Sequence, residues 1–148
     1  MTSNERSNEI LTVFKENRNY IKLFKEFKQQ MPAVIDSYEH LDVVIKDESD
    51  SEMLIECLGT AVKVKYLVSI DKKGRRYGRI RFRHHVGEDV EVVMELYFDK
   101  HGSISVGFPG DNSELAINDG GCQAQILLMM LDKLLQTKYF KAAERLYP

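Results

Sequence analysis

From Val62 to Phe108, apolar and polar residues alternate through four successive runs separated by turn formers, a pattern that predicts antiparallel strands. Val62, Val64, Tyr66, Val68 and Ile70, then Ile80 and Phe82, then Val90, Val92, Met94, Leu96 and Phe98, then Ile104, Val106 and Phe108 make one apolar face. Asp71-Lys72-Lys73-Gly74 and Asp99-Lys100-His101-Gly102 share one form, with glycine at the left-handed end of a three-residue hairpin loop. The first turn then pairs Val68 with Gly78, Tyr66 with Ile80 and Val64 with Phe82. A turn at His85 to Asp89 pairs Phe82 with Val92 and Ile80 with Met94, and the last turn pairs Phe98 with Ile104 and Leu96 with Val106.

Two helical patterns flank these strands. Ile10, Phe14, Ile21, Phe24, Phe27 and Met31 recur at helical spacing after Ser7 or Asn8, either of which serves as a cap, and residues 1–8 are expected to be disordered. Pro32 predicts a break near Gln30 and the start of a second helix carrying Val34, Ile35, Tyr38 and Leu41. Leu41 to Ile45 suits helix or strand equally, residues 46–52 read as an acidic surface loop, and Met53 to Leu58 reads as an edge strand with a helical turn as the alternative. Leu115 to Ile117 is a short fifth strand or an extended loop. After Gly120-Gly121 a helix follows with the stripe Ala124, Leu127, Leu128, Leu131, Leu134 and Leu135, broadened by Ile126, Met129 and Met130, and Lys138 to Leu146 continues as helix.

The expected fold is α+β: a meander of four or five antiparallel strands in one domain over residues 1–148, one face covered by N-terminal and C-terminal helices and the other open and charged. A length of 148 residues with 43% hydrophobic content supports one core. The formal charge of -2 excludes the bulk basicity of a typical nucleic-acid binder. The polar start lacks a secretion signal and no run is long enough to cross a membrane, so the default location is cytoplasmic. Cys57 and Cys122 form no CxxC motif and are expected as buried free thiols, with Cys122, in a first helical turn, the one candidate nucleophile.

The run Lys72 to His85 carries the most chemistry, because alternation sets Arg79, Arg81 and Arg83 in a row opposite the apolar face. The expected register places Glu91 across from Arg83 and Glu95 across from Arg79, and those carboxylates neutralise much of the row. Lys63 and Lys65 on the other flank leave some positive excess. His84 falls at the rim of the apolar face and His85 on the opposite one, so they do not converge on one metal. Gly120-Gly121 lacks the GxGxxG, P-loop or GxSxG context that would make it a phosphate cradle or a nucleophile elbow.

No catalytic set, cofactor motif or metal spacing emerges. The expectation is a small cytoplasmic, non-enzymatic interaction protein, an adaptor, chaperone or inhibitor-type module, that binds a protein partner through Lys63, Lys65, Tyr77, Arg79, Arg81, Arg83, Glu91 and Glu95. Self-association as a homodimer is also expected. The alternative is a small-molecule binding protein or enzyme with a pocket between sheet and helices lined by Tyr66, Phe82, Met94, Met129 and Met130. The third reading is nucleic-acid binding through the arginine row and its lysines.

Overall fold

The computed structural model describes residues 2–107 and 115–141. Phe108 and the stretch after Lys141 lie outside the described residues, as do the expectations that fall on them. In chain order the elements are helix α1 (Ser3–Asp36), strands β1 (Val43–Ser49), β2 (Glu52–Cys57), β3 (Thr60–Ile70), β4 (Arg76–Val86), β5 (Asp89–Phe98) and β6 (Ile104–Val106), then α2 (Gly120–Leu135) and the short α3 (Lys138–Lys141). The six strands form one antiparallel sheet in sequential order, so the fold is α+β with two strands more than the alternating region alone predicts. Leu115 to Ile117 contributes only a single bridge, Ser103 with Ala116.

The helix starts earlier and ends later than its pattern indicates. Thr2 caps it, with its side chain accepting from the Glu5 N–H and the Glu5 carboxylate accepting from the Thr2 N–H, so residues 3–8 are helical rather than disordered. Pro32 lies inside α1 and does not break it. Met31 is 1% exposed and Ile35 6% exposed, so apolar burial on both sides of the proline offsets the roughly 3 kcal/mol that an interior proline costs.

Residues 46–52 are not a loop. Lys46 to Ser49 completes β1, Glu52 begins β2, and β1 takes the edge, so β2 is internal and buries Met53, Ile55 and Cys57. Asp47 turns to the core side opposite Met53 and receives the Lys28 ammonium at 2.7 Å. That lysine, 6% exposed, also donates to the Ser49 carbonyl and lies over the Phe24 ring.

The β3–β4 register is the expected one, Val68 opposite Gly78, Tyr66 opposite Ile80 and Val64 opposite Phe82, and β5–β6 pairs Phe98 with Ile104 and Leu96 with Val106. The β4–β5 register is not. Phe82 faces Met94 and Ile80 faces Leu96, while Arg83 faces Val92, leaving Val93 as a bulge. The turn is also tighter than expected: Val86 pairs with Asp89 around Gly87, whose φ of 60° suits the first position of a two-residue hairpin loop.

The extra residue reverses the sidedness of the hairpin end. Val90 and Val92 leave the core and are 51% and 49% exposed on the open face, while Glu91 comes to the inner side opposite His84. Val68 and Ile70 are on the inner face but stand beyond its cover, at 38% and 58% exposed. The remaining inner residues pack with Tyr20, Phe24, Phe27, Met31 and Ile35 of α1 and Cys122, Ile126, Leu127, Met130 and Leu134 of α2 in one core cluster. The α2 stripe is therefore narrower than expected, with Leu128 and Leu135 left largely exposed.

Candidate functional site

The outer face of the sheet is the surface that no described element covers. Alternation sends Lys46, then Leu54 and Glu56, then Lys63, Lys65 and Leu67, then Arg79, Arg81 and Arg83, then Val92, Glu95 and Tyr97 to this side. Among the described residues, six cations thus share the face with four carboxylates, those of Glu52, Glu56 and Glu95 and, at the irregularity of β1 beside Ser49, Glu48. Lys46 pairs with Glu56 at 2.6 Å and Lys63 with Glu52 at 3.4 Å.

Glu95 sits opposite Arg81 rather than Arg79, yet the Arg79 Nε reaches it diagonally in a charge-assisted hydrogen bond, and the Arg81 Nε lies 3.7 Å from the same oxygen. The Arg79 contact is the main reason the Glu95 carboxyl is held below its ordinary 4.5. The Arg79 guanidinium also lies 5.7 Å from the centroid of the Tyr97 ring across the strand pair.

The expected pairing of Arg83 with Glu91 does not form, because the Val93 bulge carries Glu91 to the other side of the sheet. Among the described residues Lys65 and Arg83 have no ion-pair partner, and the buried Nε atoms of Arg81 and Arg83 have no hydrogen-bond acceptor. Of the eight expected site residues, Lys63, Lys65, Arg79, Arg81, Arg83 and Glu95 therefore share one patch. Tyr77 is on the same side by register but only 9% exposed, so it offers no ring to solvent. Lys46, Glu52, Leu54 and Glu56 also belong to the patch: Leu54 and Glu56 fall in the run whose state, edge strand or helical turn, the sequence leaves open, and Lys46 and Glu52 in the stretch expected as a loop. The β-branched run Val43-Val44-Ile45 was the available signal for a strand there.

A second concavity opens at the β4–β5 hairpin end, a cleft of about 670 Å³ lined by His84, Val86, Asp89, Glu91, Lys138 and Tyr139 among others. His84 is 1% exposed, its Nε2 is 2.7 Å from the Thr60 hydroxyl, and its buried Nδ1 has no partner. The Tyr139 ring meets the imidazole edge-on at 5.0 Å. Burial pushes the His84 pKa below the ordinary 6.5, so the ring is neutral at pH 7.

Of the residues expected to line a pocket between sheet and helices, Tyr66, Phe82, Met94 and Met130 are packed within the core cluster, and Met129 lies partly buried against it. Both cysteines are free and buried, and burial, aided by Asp119, raises the Cys122 thiol to about 11, which removes it as a nucleophile. Asp119 accepts from the Gly121 N–H, so the glycine pair is the capped start of α2. No group of three or more His, Cys, Asp or Glu side chains among the described residues is placed to hold a metal ion, and no helix among them is long and apolar enough to cross a membrane. No family model, no curated protein and no solved structure matches this chain.

Proposed function

We propose that this chain is a protein-interaction module whose uncovered sheet face docks an acidic surface of a partner protein. The observation that carries the reading is the imbalance on that face among the described residues: six cations against four carboxylates, with Lys65 and Arg83 unpaired. Leu54, Leu67, Val92 and Tyr97 stand between the charges and supply the apolar contact that a protein interface needs, while positive potential steers encounter. Nucleic acid is the weaker reading, since Glu95, Glu52 and Glu56 occupy Arg79, Lys63 and Lys46 and no exposed aromatic ladder lies along the row.

A photo-crosslinking residue at Val92 tests the proposal against the same residue at Leu128 on α2. A specific protein captured only from Val92, and lost in Arg81→Glu/Arg83→Glu, is the expected result. Capture that ignores the charge reversal rejects it, and salt-sensitive retention on immobilised single-stranded DNA moves the assignment to nucleic acid.

A second reading, small-molecule binding, rests on the His84 cleft and its unpartnered buried Nδ1. Titrating a fragment library against the His84 ring resonances tests it, and an unmoved ring across the library removes it.

A further inference from the structure

We infer that the N-terminal part of α1 is the self-association surface of this protein: it pairs with the same segment of a second copy, burying Ile10, Leu11 and Phe14 together with the exposed Val68 and Ile70 at the adjoining end of the sheet.

The helix is longer than the sheet beneath it requires. Its first buried residue is Tyr20, and its first side-chain tie to the strands is Glu16, which accepts from Arg76 at 2.5 and 2.8 Å. Ser3 to Lys15, a stretch of about 20 Å, stands ahead of that tie, and in it only Val13 is even half-buried. This stretch is a built helix: the Thr2–Glu5 capping box closes its start, and the Thr12 hydroxyl donates to the Asn8 carbonyl.

Along it Ile10 is 48%, Leu11 65% and Phe14 65% exposed. Ile10 and Phe14 are one turn apart and lie on neighbouring positions of one face, with Leu11 beside them. Ile70 faces Arg76 across the β3–β4 pair, and Arg76 is the residue Glu16 holds, so Ile70 and Val68 stand at the end of the sheet from which this part of the helix projects.

The size of the patch and its charge point to a second copy. Taken from their fractional exposures, the five residues together expose roughly 500 Å², toward the upper end of the largest patch on a lone monomer and more than half of the roughly 800 Å² that each member of a stable pair buries. A two-fold pair needs one such patch, since it is matched with itself. The segment from Ser3 to Asn19 balances Glu5, Glu9 and Glu16 against Arg6, Lys15 and Arg18, leaving no net charge to favour a lipid surface or a charged partner. The surface lies on the covered side of the sheet, so pairing leaves the outer face free and does not rest on its proposed role.

The full chain is tested by light scattering and sedimentation across concentration. The expected result is a dimer whose dissociation constant rises at least 30-fold (roughly, from the loss of two buried apolar anchors) in Leu11→Glu/Phe14→Glu. Val92→Glu on the outer face and Leu128→Glu on α2 leave it unchanged. Circular dichroism checks that the helix persists, and Ile70→Lys, outside the helix, provides a second disruption. A monomeric mass at millimolar concentration overturns the inference, as does a dimer indifferent to all three substitutions. Binding of a monomer to anionic phosphatidylserine vesicles that is lost in the double variant also overturns it, in favour of a lipid surface.

Discussion

Gly78 is the position where one added carbon reports most directly on the core. A Cβ there would stand 2.1 Å from the Phe98 Cζ and 2.5 Å from both Cε atoms, distances no packed pair sustains. Phe98 is 1% exposed, with Tyr20 meeting it edge-on at 5.7 Å and Tyr66 tilted against it at 6.2 Å, so moving the ring disturbs two other aromatic contacts. Forcing the ring aside costs about 1–3 kcal/mol, and alanine returns about 0.5–1 kcal/mol through the unfolded chain, so Gly78→Ala is expected to lose up to about 2.5 kcal/mol, with a centre of about 1 kcal/mol. Phe98→Ala alone removes a buried ring and is expected to lose about 3–5 kcal/mol. Made in the Phe98→Ala background, Gly78→Ala meets open space and becomes neutral or slightly stabilising, a coupling of about 2 kcal/mol. Urea denaturation of the four proteins, with midpoints compared at constant slope, measures it. Losses that add to within about 0.5 kcal/mol would refute the stacking of Phe98 over Gly78.

The bulge makes a contrast that alternation alone would not. Val92→Thr is expected to shift stability by less than about 0.5 kcal/mol, whereas Val64→Thr, fully buried, is expected to lose about 1–3 kcal/mol in the same denaturation assay. At the helix-to-edge contact, Asp47→Ala is expected to be the more damaging of two changes: it leaves a 6%-exposed ammonium with only the Ser49 carbonyl, while Lys28→Met leaves a 71%-exposed carboxylate that water can solvate. Thermal melts are expected to rank them in that order. Stability is expected to depend on pH in two windows. The neutral buried His84 contributes stability that is full above 6.5 and falls away as pH drops through its lowered folded value, and His84→Phe removes that window. Arg76 and Arg79 hold Glu16 and Glu95 below 4.5, so their contribution is present above 4.5 and lost as pH falls through the folded values; Glu16→Gln/Glu95→Gln flattens the acid limb of a denaturation profile.

What was legible in the sequence was the part that obeys one period. Every second residue from Val62 to Ile70 is apolar, as are Ile80 and Phe82 beyond the turn, and Gly74 and Gly102, with φ of 78° and 85°, sit at the turn positions their motifs require, so those registers follow from local rules. The β4–β5 register went wrong because Val92, Val93 and Met94 are adjacent apolar residues, and three in a row contain the bulge without saying which is the extra one. The outer cation row was legible for the same reason as the core, as its complement. Its carboxylate partners were not, since each depends on the register of the neighbouring strand. Pro32 and the acidic stretch 46–52 misled for one reason: local propensity opposed helix and strand there, and burial of Met31 and Ile35 in one case, and the Lys28–Asp47 contact in the other, outweighed it. The His84 cleft depends on α3 arriving beside the β4–β5 turn, a contact between distant parts of the chain that no short pattern encodes.

The lysine under the first strand also governs how the sheet's free margin behaves. If that margin frays, an ammonium group is stranded over the Phe24 ring with its anion gone, so helix and edge are expected to open and close as one cooperative unit. Amides of Val43 to Ser49 would then exchange with solvent in step with those around Phe24 and Lys28. A strand that sought to displace β1 from the sheet would have to open the structure behind it as well.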